Sequence, residues 1–542
     1  MGVVVQSGQI ASIRDLGNRG HRHAGRLIGL LLSIALVLGL GILPVSAAVK
    51  STSAVKSTTP HRGGTLTAVG TASWPSLDPA SPKATLAGSS ILLAAIYGGL
   101  FNVGPNATIV PNQALKYTIS RNHLIVSVYL RPGLKFQDGT PFDAQAVAWN
   151  WNRDRNPATG CTCVQFMGDV TNVTAPSKYK VVAYLSQPYA PLITLMASDV
   201  MAYIVSPAAF QAEGATQFGL HPVGAGPFQV VSNSPTVTIS LKRFGGYWDK
   251  PKPYLDAITY NYISSTQTAY ADIQSGSAQF MQAPDPATLG ESHSNPNVKI
   301  VVTAAPTTME IRLNSLHSPF DNPVARQIIF LATDMTPILS TVYSGLAKAE
   351  QTIIAPGEDY YFGPTLPKGV FTSYNPTEAA SLVKQIGGLN VQLEPISDTP
   401  VNVALVQALA KEWQAVGINV TVSSTSETGV LVAVTSGTWQ AFADTYGTYV
   451  DPGLALARYF QSNATFNHGL NSPMLDSLLA KAAGTSVPAQ RQALYKQIVR
   501  FLISNHFDYP LFYQPTYAIA TKTLQGIPNT AIIYLQDMYF RQ

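Results

Sequence analysis

Leu130–Arg153 reads LRPGLKFQDGTPFDAQAVAWNWNR, and the rest of the chain is best read outward from it. Arg131-Pro132-Gly133 ends a strand, Asp138-Gly139 makes a second tight turn, and a helix follows. Asp143 stands where its carboxylate can accept an orphan amide of the first helical turn. Ala144, Val147, Ala148 and Trp151 then recur at i, i+3, i+4 and i+7, which predicts one apolar face turned inward. Nothing in the stretch aims a nucleophile or a general base at a substrate.

Around this block lies a 542-residue chain, longer than one hydrophobic core usually supports, so two or more lobes are expected. Charged residues make up only 12% while apolar residues reach 46%, a balance that fills cores and argues against disorder. The net charge of +5 is largely a property of the first 47 residues, where Arg14, Arg19, Arg22 and Arg26 face only Asp15. The nearly neutral remainder has no electrostatic footprint for nucleic acid. Arg22 and Arg26 precede the apolar run Leu27 to Leu43, Pro44 breaks it, and Val45-Ser46-Ala47-Ala48 supplies small residues. That order is an export signal over 1–48, cleaved or kept as an anchor, followed by a Ser/Thr/Lys linker over 49–62.

Export permits disulfides, but Cys161 and Cys163 are two residues apart, and an unpaired or locally bridged surface pair is the reading. Of the nine histidines, His21 and His23 lie in the export leader and the rest are far apart and form no metal motif, so neither a metal nor a cofactor is expected. Nucleophile-elbow, Walker and dinucleotide fingerprints are likewise missing.

Strands are read at Leu124–Leu130, Tyr179–Leu185 and Thr236–Leu241. After about 308 helices take over. Asn322-Pro323, Asn375-Pro376 and Ser472-Pro473 each pair a capping side chain with proline at the first helical position. Val391–Ile396, Pro400–Val416 and Ile418–Val422 read as strand, helix and strand, a right-handed parallel crossover.

Six blocks, in order, resemble the extracellular solute-binding proteins of family 5, the peptide/nickel class of ABC importers. The opening stretch is the most specific. The others are Gly63–Ala80, Ile96–Val103, His221–Val230, Arg243–Tyr260 and Leu313–Asp334. The resemblance implies an α/β, two-lobed periplasmic-binding-protein-like fold (type II, cluster C) with an extra subdomain in lobe I. Lobe I would hold 63–308 with a C-terminal return at 506–542, and lobe II would hold 309–505. It further implies a monomer outside the cytoplasmic membrane that captures a peptide or similar small oligomer and delivers it to an ABC permease, without catalysis. An oligosaccharide binder or a ligand sensor is the alternative, and a secreted hydrolase a remote one.

The resemblance also directs attention to particular residues. Trp74, Leu77 and Asp78 match a loop that lines the family's cleft, with core packing the competing reading for Trp74. Family members that bind peptides hold the α-amine with an aspartate four residues before a proline. Here the proline is Pro452 and that place is Thr448, whose hydroxyl supplies no counter-charge for an ammonium. Asp444 replaces the lost charge if the loop is remodelled, Asp451 is a ligand or a loop cap, and Tyr446 and Tyr449 either line the cavity or close the loop. Arg312 either meets a ligand carboxylate or makes an inter-lobe or surface ion pair.

Overall fold

A computed structural model describes residues 59–541 apart from 85, 357, 359, 396–399, 424–426, 447–449, 465 and 468. It leaves aside the side chains of 86–88, 106, 162, 303–306, 427–428, 431, 435 and 446. The expected export signal and most of the linker lie outside these residues. No described helix is long and apolar enough to cross a membrane.

In chain order the elements that matter are β1 (Thr65–Gly70), α1 (Leu86–Tyr97), β2 (Ala114–Ile119), β3 (Ile125–Leu130), α2 (Ala144–Asp154), β4 (Val170–Ser177), β5 (Lys180–Leu185) and α3 (Leu192–Ser198). Then come β6 (Phe228–Ser234), β7 (Thr238–Arg243), β8 (Ala257–Tyr262), β9 (Phe280–Gln282), β10 (Val298–Leu313) and α4 (Pro323–Ala332). The second half adds α5 (Pro376–Gln385), β11 (Asn390–Pro395), α6 (Pro400–Ala415), β12 (Asn419–Val422), β13 (Ala441–Tyr446), α7 (Pro452–Phe460), α8 (Pro473–Gly484), α9 (Pro488–Ser504) and β14 (Asp508–Thr521).

One mixed sheet runs in the order β12-β11-β13-β10-β14-β9-β1-β8-β7-β6. Its centre is the long antiparallel pair β10 and β14. β14 enters both main apolar cores, whereas β10 gives Met309, Ile311 and Leu313 to lobe II's core and Val298 to a small third cluster. Lobe I's core draws on residues between Leu66 and Phe280 and on Ala518 to Met538. Lobe II's core runs from Met309 to Phe512. The register of the pair breaks between Val302 and Thr307, between the two cores, and such bulges bend a strand. The expected lobe boundary at 308/309 therefore falls inside β10, not in a loop.

A separate antiparallel sheet, β2-β3-β5-β4, forms the extra subdomain of lobe I. Helix α2 packs on β4 and β5. Asp143 caps α2 by accepting from the amides of Gln145 and Ala146, and Ala144, Val147, Ala148 and Trp151 are all buried. The crossover is present as β11-α6-β12, with the strands parallel from Asn390–Asn419 to Leu393–Val422. Asn322, Asn375 and Ser472 cap their helices. Cys161 and Cys163 are joined to each other. Both are buried, not at the surface as expected, because the loop that carries them packs into lobe I's core.

The opening stretch is also the staple of lobe I. Gln137 Nε2 donates to the carbonyls of Ile96 (2.9 Å) and Phe228 (2.7 Å), and its Oε1 accepts from Gly224 N (3.2 Å). This pins the Gly224–Pro227 turn against the end of α1. A Cβ on Gly226 would sit 2.6 Å from Gly98 N and 2.7 Å from Ala95 O. Both are backbone atoms with no room to move. Gly226→Ala is therefore expected to destabilise the protein by about 1–3 kcal/mol, read as a lower midpoint in urea unfolding, whereas Gly168→Ala, in open space, leaves the midpoint unchanged.

Candidate functional site

The three lobe I residues expected in the cleft are spent on internal contacts. Asp78 is ion-paired with Arg153 of α2, which also lies 4.1 Å over the Phe210 ring. Leu77 is fully buried. Trp74 packs edge-on against Tyr260 at 5.4 Å and donates Nε1–H to Asn233 Oδ1 at 3.0 Å. Packing thus takes the place of the ligand-lining role expected for this loop. Arg153, on the helix of the signature stretch, holds Asp78, while Tyr260 and Asn233 hold Trp74.

In lobe II the sheet itself builds a charged ladder. Glu310 and Arg312 are two apart on β10 and so share a face. Asp444 on β13 stands directly opposite Glu310, and Asp508 on β14 directly opposite Arg312. Arg312 bonds Glu310 Oε1 through Nε at 2.5 Å, pairs with Asp444 through Nη1, and donates Nη2–H to the Thr445 carbonyl at 3.2 Å. Tyr459 of α7 covers it at 4.3 Å. Burial alone would lower the Arg312 guanidinium, but Asp444 and Glu310 outweigh it and hold it above its ordinary value. Burial raises Glu310 against the opposing pull of Arg312. It pushes Asp508 well above the carboxylate range, with the Glu310 charge adding to it. So Arg312 and Asp444, both expected at the site, meet each other. Neither offers a free charge.

The loop after β13 was expected to carry the site, and Thr448 and Tyr449 lie outside the described residues. Tyr446 closes β13, and its side chain is likewise outside them. Asp451 is described fully. It caps α7 by accepting from Gly453 N (2.9 Å) on the Oδ1 that also accepts from Tyr495 OH (2.9 Å). Its Oδ2 takes a charge-assisted bond from Arg491 Nη1 at 2.5 Å.

This buried pair faces a half-open space between the lobes. A cavity of about 210 Å³ is walled by Tyr117, Tyr189 and Ile193 from lobe I and by Tyr360, Asp451 and Arg491 from lobe II. The lobes touch around it. Ala190 N donates to Ala483 O at 2.8 Å. Val450 and Leu454, at the start of α7, sit in lobe I's core. Asp199 of lobe I is raised to about 6 by burial, against the lowering effects of the Val200 amide and of Arg458 across the gap. The wall includes Asp451, expected as a ligand or a loop cap, together with Tyr189, Tyr360 and Arg491, which the sequence did not single out. Arg491 lies forty positions from Asp451 in α9, and no local pattern marks it. No group of three or more metal-ligating side chains occurs among the described residues.

A sequence profile for bacterial extracellular solute-binding proteins, family 5 middle region, matches residues 108–467. The chain belongs to this family. Among curated relatives it is 28% identical over 483 residues to the glutathione-binding protein GsiB of Escherichia coli (strain K12), covering 84% of this chain and 91% of the relative. Among solved structures it resembles the periplasmic binding protein DppA from Helicobacter pylori in complex with the peptide STSA. The TM-score is 0.79 at 21% identity, covering 89% of this chain and 99% of the other. It is equally similar in fold to AgaA of A. tumefaciens R10 in complex with agropinic acid, with TM-score 0.77, 22% identity and coverage of 88% and 99%. As a family 5 member the chain is a solute-binding protein with the two-lobed binding-protein fold, and its relatives are binders, not enzymes.

Removing the cation from the ladder leaves buried carboxylates uncompensated. Arg312→Met is expected to cost roughly 3–5 kcal/mol at pH 7.5. Glu310 and Asp508 are raised in the fold, so their protonated forms are favoured there and their contribution to stability fades as pH rises. The cost of Arg312→Met is therefore smaller at pH 4.5, as urea unfolding at the two pH values will show.

Proposed function

We propose that the protein works outside the cytoplasmic membrane, captures a peptide-like solute between its lobes and hands it to the permease of an ABC importer, without chemical turnover. The carrying observation is the half-open cavity to which lobe I and lobe II each contribute tyrosine and polar side chains. Family membership supports the reading, as does the likeness to a relative named for binding glutathione and to a fold neighbour solved with a peptide. A ligand touching both lobes stabilises the closed arrangement by its differential affinity, and the importer then has one shape to recognise. The hydroxyls around the cavity suit a site where water fills what varied side chains leave open.

Asp444 serves a peptide's α-amine poorly while Arg312 holds it, so backbone-type hydrogen bonds carry more of the affinity in this reading. The test is calorimetry and small-angle scattering on the leaderless protein with di- and tripeptide mixtures, glutathione included. Micromolar or tighter binding with a fall in radius of gyration is expected. Compaction by oligosaccharides and none by any peptide overturns the peptide assignment.

A further inference from the structure

We propose that the charged ladder of lobe II binds one proton, shared between Glu310 and Asp508, and that this proton keeps Arg312 on the end of β13. The ladder is then a pH-sensitive support for the strand from which the loop at 447–449 departs.

Charge balance comes first. Glu310 and Arg312 of β10, Asp444 of β13 and Asp508 of β14 meet inside lobe II, and Tyr459 of α7 is the remaining titratable group against them. Glu310 and Asp508 are 0% exposed, Arg312 4% and Asp444 6%. Three carboxylates around one guanidinium would leave two uncompensated negative charges out of water. A buried site relieves that cost by neutralising a carboxyl.

The unmade hydrogen bonds show which carboxyls hold the proton. Arg312 gives Nε to Glu310 Oε1, Nη1 to Asp444 and Nη2 to the Thr445 carbonyl. Glu310 Oε2 and both Asp508 oxygens are buried and meet no N–H or O–H donor among the described residues. Yet the Glu310 and Asp508 carboxyls lie within hydrogen-bonding reach of each other. Ionised carboxylates only accept, so this contact becomes a hydrogen bond when one of the two is protonated. Glu310 already takes a charged bond from Arg312, which favours its anionic form. Asp508 takes no such bond, so Asp508 is the donor and Glu310 the acceptor.

The proton has a consequence along β13. Asp444 Oδ1 accepts the Thr445 N–H at 2.5 Å, and Arg312 Nη2 donates to the Thr445 carbonyl at 3.2 Å. Both main-chain polar groups of Thr445 are thus held by the ladder, three positions before Thr448. Losing the shared proton adds a charge on the β14 side of Arg312 and draws the guanidinium away from Asp444 and Thr445. Both carboxyls are raised in the fold. The stability they give is complete below their unfolded values and is lost as pH rises through the folded ones.

Asp508→Asn offers Glu310 an amide N–H in place of the carboxyl proton and does not titrate. Glu310→Gln keeps an acceptor for Arg312 and donates to Asp508, so the test does not hang on one variant folding. In urea unfolding of the leaderless protein, the unfolding constant of the wild type is expected to rise about tenfold per pH unit relative to either variant, from pH 5.5 to 7.5. The wild-type-minus-variant infrared spectrum at pH 7.5 should show the carbonyl band of a protonated carboxyl. A flat ratio, or a difference spectrum without that band, overturns the shared proton. Hydrogen exchange of a peptide covering Ala441–Val450 reads the support. Its protection, corrected for intrinsic rate, should fall roughly fivefold from pH 7 to 9.5 in the wild type and hold in Asp508→Asn, the worth of about one hydrogen bond. Equal loss in both proteins, or loss in neither, overturns the support. None of these readouts needs a solute, so solute capture can fail or stand independently of them.

Discussion

The antiparallel pairing of β10 with β14 is the constraint on which the rest of the molecule depends. From Val298–Thr521 to Arg312–Asp508 the two strands hydrogen-bond through both lobes, so each lobe is built onto the same backbone ladder. Backbone bonds of this kind cannot be left unmade inside a core, which fixes how β9 and β1 join on one side and β13 on the other. The register break between Val302 and Thr307 is where that ladder relaxes, at the level between the two cores.

The charged ladder of lobe II follows directly from this register. Once β10 is fixed, Glu310 and Arg312 must share a face, and β13 and β14 must set Asp444 and Asp508 across from them. Three carboxyls around one guanidinium are held by geometry that the strands impose, not by a loop. The strands thus hold the charged side of lobe II together, while the lobe I subdomain and the start of α7 supply the contacts between the lobes. A solute-binding protein needs this division: a stiff frame that carries the strands across, and a separate set of contacts whose formation depends on what lies between.

Much of the architecture was legible residue by residue. The Asp143 cap and the stripe from Ala144 to Trp151 are local, since capping and a 3.6-residue period involve atoms within a turn or two. The same holds for the three cap-proline helix starts and for the parallel unit β11-α6-β12. The site was less legible. Trp74, Leu77 and Asp78 sit in the loop whose family resemblance suggests ligand contact, yet all three are buried, and Asp78 pairs with Arg153, seventy-five positions away. Arg312 and Asp444 look like two available charges in the sequence and are one ion pair in the fold.

The chain alone determined the class of fold, the helix starts and the apolar faces, because those depend on dihedral preference and on hydrogen bonds between near neighbours. Asp451 as a cap belongs to the same group, since its partner Gly453 is two residues away. Tertiary structure decided which charges remain available. Arg491 reaches Asp451 across forty residues, and Tyr189 of lobe I lines the same space as both. Such partnerships come from topology bringing distant segments to van der Waals distance, and no periodicity in the sequence encodes a distance of that kind.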